Sequence, residues 1–342
     1  MKAAVYRGPQ AVAIESVPEP QAPGPGQVTL HVERAAICGT DSAEWAHGPH
    51  LCRPPVILGH EFVGRVVAAG DGVEGIAPGD RVVCGAGVSC GACGWCRAGR
   101  TNLCAGYYTL GLHVDGGLAE LVNTPAAICR LVPAALSDEA AALAQPLAVA
   151  LHAVRRSGAA PGDTVAVIGV GGIGAFIIAG AAARGISPLI AVDVDDERLA
   201  TARTLGATVT LNVAGKDTAQ AILAATGGEG AHVVIEASGA PTAPAAALAA
   251  ARRGGRVALV GLQAAPRELD IFSFTVREVD VVTTLAHVCA VDLPEALDVL
   301  AARDLVPIVV DKVIPLADLV DEGLRPLAER TARGKIVVDT RQ

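Results

Sequence analysis

The sequence predicts a two-domain α/β protein, a mainly antiparallel β domain followed by a doubly wound parallel sheet. Three observations carry this. At 342 residues the chain exceeds what one hydrophobic core organises. Its opening third alternates short apolar runs with Pro and Gly punctuation, the pattern of half-buried strands joined by turns. Beyond Ser137 strand-like and helix-like runs alternate, which implies a parallel sheet covered on both faces.

In chain order, AVYRG, AVAIESV and APGPGQVTLHVERAAI read as strands, the last opened by a Pro-Gly turn. EFVGRVVAAG and GDRVVCG continue the pattern, with Gly70, Gly72, Gly75 and Pro78-Gly79-Asp80 marking the turns. The polar residues suited to chemistry fall in the connecting segments, which places them on loops. SDEAAALAQPLAVALHAVRRSG is Ala-rich and helical in period, with Ser137 as N-cap and one break at Pro146. The alternating part then runs TVAVIG, a helix from about Gly172, PLIAVDV, a helix over ERLATARTLGA, HVVIEASG, a helix around 242–252, GRVALVG and VDVVTTLA. A helix over LPEALDVLAARD and a closing strand GKIVVDT are expected to rejoin the first domain. The expected division is therefore 1–147 with 289–342, including a small lobe at 84–106, and 148–288.

A net charge of -8 without any run of Lys and Arg argues against a grip on nucleic acid or anionic lipid. Small molecules are the expected partners. Arg7 and Glu15 interrupt the stretch that a signal peptide would keep apolar, and no long uncharged apolar run reads as a membrane span. A cytoplasmic protein is expected, and in a reducing compartment clustered cysteines point to metal rather than to disulfides.

Gly169-Val170-Gly171-Gly172-Ile173-Gly174 follows one strand and opens a helix, and Asp193 ends the next strand. In that context G-x-G-x-x-G is a dinucleotide turn: the glycines let the backbone approach a pyrophosphate, and the helix N-terminus offers free N–H groups. Asp193 suits the ribose hydroxyls and repels a 2′-phosphate, which favours NAD, although Arg198 and Arg203 lie nearby in sequence. Ala237 and Gly261, at the ends of later strands, are expected to border the same cofactor.

Two sets of residues suit zinc. Cys38 in C-G-T-D and His60-Glu61 in G-H-E offer a thiolate, an imidazole and a carboxylate, and a catalytic zinc keeps one position open. Cys90, Cys93, Cys96 and Cys104 offer four thiolates in a short Gly-rich lobe, the form of a closed structural zinc site, or of an iron–sulfur cluster. Cys52, Cys84, Cys129 and Cys289 have no such company and read as small buried hydrophobes.

With C-G-T-D at 38–41, G-H-E at 59–61, the four-cysteine lobe, G-L-H-V-D-G-G-L-A-E at 111–120, Q-P-L-A-V-A-L-H-A at 145–153 and the glycine turn with Asp193, the whole chain resembles the zinc-dependent medium-chain dehydrogenase/reductase family. Its butanediol, sorbitol and threonine dehydrogenase branches are the most similar. The resemblance implies a GroES-like catalytic domain, a Rossmann domain, two zinc ions per chain, NAD, and a homodimer or homotetramer. It implies oxidation of a secondary alcohol, vicinal diol or polyol to the ketone, with zinc favouring the alkoxide and hydride passing to nicotinamide. Thr40 resembles the family hydroxyl that bonds the alkoxide, Asp41 is expected to orient a ligand, and Trp45 is a candidate pocket wall beside Gln145.

The chain departs from the related branches twice. A histidine that ends the proton relay is replaced by Ala43, with His47 and His50 the nearest alternatives. A glutamate that is a candidate third zinc ligand is replaced by Gln145, a poor donor, so Glu61 or Gln145 completes the set. These departures motivate an alternative, a catalytically impaired relative that binds zinc and dinucleotide for structural or regulatory ends. A metal-free quinone reductase needs neither the cysteine lobe nor G-H-E.

Overall fold

The computed structural model describes residues 1–342, which divide into two compact units, Met1–Ala148 with Val288–Gln342, and Val149–His287. The first unit is built on a seven-stranded sheet. Its strands lie in the order Cys129–Leu131, Arg81–Cys84, Glu61–Ala69, Gln27–Ala36, Lys335–Asp339 and Val310–Pro315, with Leu121–Pro125 also pairing with Gln27–Ala36. Every pair is antiparallel except Val310–Pro315 with Lys335–Asp339. Gln27–Ala36 pairs along one edge with Leu121–Pro125 and Lys335–Asp339 and along the other with Glu61–Ala69, so most of its residues are buried. The chain's last strand thus sits beside one of its first, with Val337 opposite Ala36. The preceding strand, 310–315, was not legible as a separate element.

The second unit is a six-stranded parallel sheet in the order Val209–Asn212, Leu189–Asp193, Val165–Ile168, Ala231–Glu236, Ala251–Leu259 and Asp280–Thr283. The order reverses beside Val165–Ile168, the position at which open sheets of this class take ligands at their carboxyl ends. Val165–Ile168 and Leu189–Asp193 are buried throughout, as parallel strands covered on both faces must be. With few aromatics, the core of this unit is assembled from Ala, Val, Ile and Leu.

Three elements differ from expectation. C-G-T-D opens a helix, Gly39–His47, rather than a loop, because Asp41 turns back to accept the backbone N–H of Cys38 and so closes the first turn. The Ala-rich run breaks at Leu143 and not at Pro146: it forms Asp138–Ala142, capped by the Ser137 hydroxyl, and then Ala144–Ser157. Pro146 lies in the first turn of the second helix, where a missing N–H costs no hydrogen bond. The helix expected over LPEALDVLAARD starts earlier and runs Cys289–Ala302, with Pro294 inside it. No helix is long and apolar enough to cross a membrane.

Candidate active site and metal centres

Strand register builds the first centre. Ala36 pairs with Glu61 and Val337 with Ala36, so where the three strands end, Cys38, His60-Glu61 and Lys335 arrive together. The Ile37 N–H donates to the Ile336 carbonyl at 2.9 Å and fixes that convergence. Sγ of Cys38, a ring nitrogen of His60 and a carboxylate oxygen of Glu61 lie within 4.8 Å of one another. His60 and Glu61 are buried and Cys38 is half-buried.

Backbone packing holds the histidine. Gly59 has φ +98, and a Cβ there would lie 2.6 Å from the Leu118 nitrogen. The D-G-G-L segment lies directly on it: the Gly117 N–H donates to the Gly59 carbonyl at 2.9 Å, and the Asp115 carboxylate accepts the Ile57 N–H at 2.9 Å. Asp41 is fully buried, and its Oδ1 lies 3.5 Å from Nδ1 of His60. That interaction turns Nδ1 toward Asp41 and leaves Nε2 as the donor for an ion, the arrangement in which a carboxylate fixes the tautomer of a ligating histidine. Burial pulls the His60 pKa down, but Asp41 and Cys38 more than offset it, so the imidazole is held well above its ordinary range when no ion competes for it. An orphaned buried Oδ1 and Nδ1 beside a thiol and a carboxylate are what a zinc ion would draw into register, and the donor set fits zinc.

Lys335 was not anticipated. Its Nζ donates to the Ile37 carbonyl at 3.0 Å and to Oε2 of Glu61, and the side chain is buried. Burial lowers its pKa, but Glu61 first and Cys38 next raise it above the ordinary value, so it is an ammonium. The signal was a charged residue opening the otherwise apolar strand KIVV.

Thr40 lies in the first turn of Gly39–His47 and is half-buried, while Ala43, His47 and His50 are exposed. Gln145 is buried in the first turn of Ala144–Ser157. Trp45 is only 4% exposed and carries the Arg325 guanidinium 5.4 Å from its ring centroid. Its indole N–H is buried without an acceptor. Two cavities of ≈ 720 and ≈ 650 Å³ in this unit are lined by other residues and do not border the donor cluster.

The second centre is the lobe. The four thiol sulfurs of Cys90, Cys93, Cys96 and Cys104 lie within 4.8 Å of one another, with Cys93 to Cys96 at 3.6 Å and Cys90 to Cys96 at 4.0 Å. Four sulfurs around one tetrahedral zinc stand about 3.8 Å apart, so the set fits with little movement. The backbone prepares thiolates: N–H groups of Cys90 and Gly106 donate to Cys104 Sγ, and that of Cys93 donates to Cys90 Sγ, each at 3.3 Å. Backbone N–H groups, that of Cys96 foremost, bring the Cys93 thiol down to about 6, whereas burial pushes Cys96 up to about 11. The expectation that Cys84, Cys129 and Cys289 stand apart is corrected in part. All three are buried, but Cys84 and Cys129 face each other across paired strands, because Arg81–Cys84 and Cys129–Leu131 share that register.

In the second unit the glycine turn lies at the carboxyl end of Val165–Ile168. Gly169 has φ +84, and a Cβ on Gly174 would lie 1.8 Å from the Gly169 carbonyl oxygen, so only glycine closes this turn. Helix Gly172–Ala183 starts at Gly171 with no capping side chain, and a Cβ on Gly172 would meet nothing within 4 Å. Free N–H groups therefore face open space, as a pyrophosphate requires. Asp193 accepts the Val170 and Val194 N–H groups at 2.8 Å each, which ties the turn to the neighbouring strand. Arg198 lies 3.9 Å from the Asp193 carboxylate and faces Gly171. The Ala237 N–H donates to the Ile168 carbonyl at 2.8 Å, and Gly261 packs on Gly239 and Glu236, so both border the same crevice.

Glu236 is a second residue missed from sequence, legible only as an acid inside VVIEASG. It is fully buried, and its Oε1 accepts from Ser238 N at 2.7 Å, Ser238 Oγ at 2.6 Å and Gly239 N at 3.0 Å. Those bonds press Ser238 against Gly169, where a Cβ would lie 2.5 Å from the Ser238 Cβ. Two carboxylates, on the two strands that flank Val165–Ile168, thus brace the turn from either side.

Comparison with known proteins agrees with this construction. Residues 24–134 match the family described as alcohol dehydrogenase GroES-like domain, and residues 172–302 match that described as zinc-binding dehydrogenase. Sorbitol dehydrogenase of Bacillus subtilis is 36% identical over 266 residues, covering 77% of this chain and 75% of that one. L-threonine 3-dehydrogenase of Bacillus licheniformis is 37% identical over 277 residues, covering 79% of each. The crystal structure of 2R,3R-butanediol dehydrogenase from Bacillus subtilis superposes with a TM-score of 0.90 at 31% identity, covering 99% of both chains. The chain belongs to the zinc-type medium-chain dehydrogenases, with a GroES-like antiparallel domain and a Rossmann-like parallel sheet. It is an oxidoreductase of the zinc alcohol dehydrogenase type.

Proposed function

We propose that the protein is an NAD-dependent dehydrogenase that oxidises a secondary alcohol, vicinal diol or polyol to the ketone, reversibly, and holds two zinc ions per chain. The observation that carries this reading is the buried Cys38, His60 and Glu61 cluster, with its orienting Asp41, in a chain that also carries a dinucleotide turn. The similarity to sorbitol and butanediol dehydrogenases supports the substrate class. Cys38, His60 and Glu61 hold the catalytic zinc, and Cys90, Cys93, Cys96 and Cys104 hold the structural one. Bound zinc supplies Lewis acidity toward the substrate oxygen.

The chain's own residues do the rest. Asp41 holds the proton on Nδ1 of His60 and so keeps Nε2 free. Thr40, in the first turn of the helix capped by Cys38, accepts the substrate hydroxyl proton at Oγ1 as it releases its own hydroxyl proton outward. With Ala43 exposed where relatives carry a histidine, that proton leaves through solvent. Gln145 contributes a neutral amide to the pocket rather than a ligand charge.

Asp193 selects NAD. Its carboxylate can take the two adenosine ribose hydroxyls and would repel a 2′-phosphate. Asp193→Ala is expected to lower kcat/KM for NAD by roughly tenfold to a hundredfold, the worth of one to two charge-assisted hydrogen bonds, while the value for NADP stays level or rises. Equal losses with both cofactors in steady-state assays would count against this assignment.

The outer strand Asp280–Thr283 pairs along one edge only, and Val281 is 42% exposed. We propose that it pairs with a second copy across a two-fold in a homodimer or homotetramer. Light scattering after gel filtration should give a dimer or tetramer that Val281→Lys shifts toward monomer. A monomeric native chain at micromolar concentration would contradict it.

A further inference from the structure

We infer that Lys335 is a positioning residue of the catalytic metal centre, holding Glu61 by one oxygen so that the other serves as a single donor toward the ion. This rests on the proposed reading of Cys38, His60 and Glu61 as a zinc site. A lysine is costly at this place: it opens a strand whose next three residues, Ile336, Val337 and Val338, are fully buried, and it is itself 7% exposed. Sheet packing alone would be served better by an apolar residue. The ammonium is retained where it meets Oε2 of Glu61 and the Ile37 carbonyl, one residue before Cys38.

The charge balance of the cluster points the same way. A Cys38 thiolate with the carboxylates of Asp41 and Glu61 places three negative charges in one buried cluster, and Lys335 supplies one positive charge. The remaining two negative charges are what a divalent cation neutralises. Without Lys335 the cluster would be over-charged, and both Glu61 oxygens would be free to close on the ion.

The experiment measures zinc affinity at this centre by competition with a chromophoric chelator, together with the visible spectrum of the cobalt(II)-substituted protein. Lys335→Met is expected to tighten zinc binding by at least about tenfold, because one positive charge a few ångströms from the ion is gone. Its cobalt spectrum should weaken toward that of a five-coordinate ion as the second oxygen joins. Lys335→Arg, which keeps the charge and the bond to Glu61, should stay within about threefold in affinity with the spectrum unchanged. In Glu61→Gln, adding Lys335→Met should leave the cobalt spectrum as it was, since an amide does not chelate. Should Lys335→Met fail to fold, Lys335→Gln carries the same expectation for affinity. Unchanged or weaker binding with an unchanged spectrum would overturn the inference. Cys38→Ser tests the reading underneath: a variant that keeps two zinc ions defeats the metal assignment, whereas loss of one ion there with no effect at Lys335 defeats this inference alone.

Discussion

Replacing His60 with alanine is expected to remove one of the two zinc ions per chain and to lower kcat/KM for the alcohol by about 10⁴-fold, the loss of several kcal/mol of Lewis-acid stabilisation. The ring supplies the only nitrogen in the Cys38, His60 and Glu61 set, and its orientation is fixed by Asp41 on one side and by the Gly59 turn on the other. Removing the ring also takes away the imidazole that lies 3.5 Å from the buried Asp41 Oδ1, an atom with no other hydrogen-bond partner. The fold should survive, because the strands that converge here are tied by backbone bonds such as Ile37 N–H to Ile336 O. Metal analysis with steady-state kinetics on the folded variant checks this. Two tightly held zinc ions with activity within tenfold of the parent would defeat the assignment.

The second large effect is on stability. Cys93→Ser should lower the thermal midpoint by about 10 °C or more and cost the lobe its ion, since binding free energy at a closed zinc site acts as folding free energy. The lobe has little else to hold it. Its one helical turn, Gly94–Arg97, buries no residue, and Trp95 is 51% exposed. Turnover per folded molecule should remain close to the parent's, because Cys38, His60 and Glu61 lie outside this segment. Calorimetry and zinc analysis on one preparation separate the two effects. A variant as stable as the parent with the lobe zinc gone would show that the site is not structural.

Much of this was legible in the residues, and the reasons for the rest are physical. The glycine turn with Asp193 could be read because its chemistry is local: strand, turn, helix and acid follow one another within one βαβ unit. The four-cysteine lobe was legible for the same reason. Lys335 was not, because it reaches Glu61 across 274 positions of sequence through the register of three strands, and register is a tertiary property. Glu236 was hidden by its setting in an apolar strand, where nothing in VVIEASG announces that three donors gather on one oxygen. The helix at Gly39–His47 reads as loop in the sequence because its start depends on a bond from the Cys38 backbone to Asp41 rather than on Ser, Thr or Asn at the cap. The sequence puts the helix break at Pro146 rather than Leu143 because a proline reads as a breaker until its position within the first turn is known.

The central claim is that Cys38, His60 and Glu61 hold a zinc ion on which dehydrogenase activity depends. Its most direct test is NAD reduction, followed at 340 nm across a panel of secondary alcohols, vicinal diols and polyols, with the catalytic zinc removed by chelation and then restored. The account predicts turnover with at least one of these classes, lost with one zinc per chain and recovered on its return. No turnover with any of them while two zinc ions stay bound would contradict it and would favour a chain that keeps its metals and dinucleotide for structural or regulatory ends.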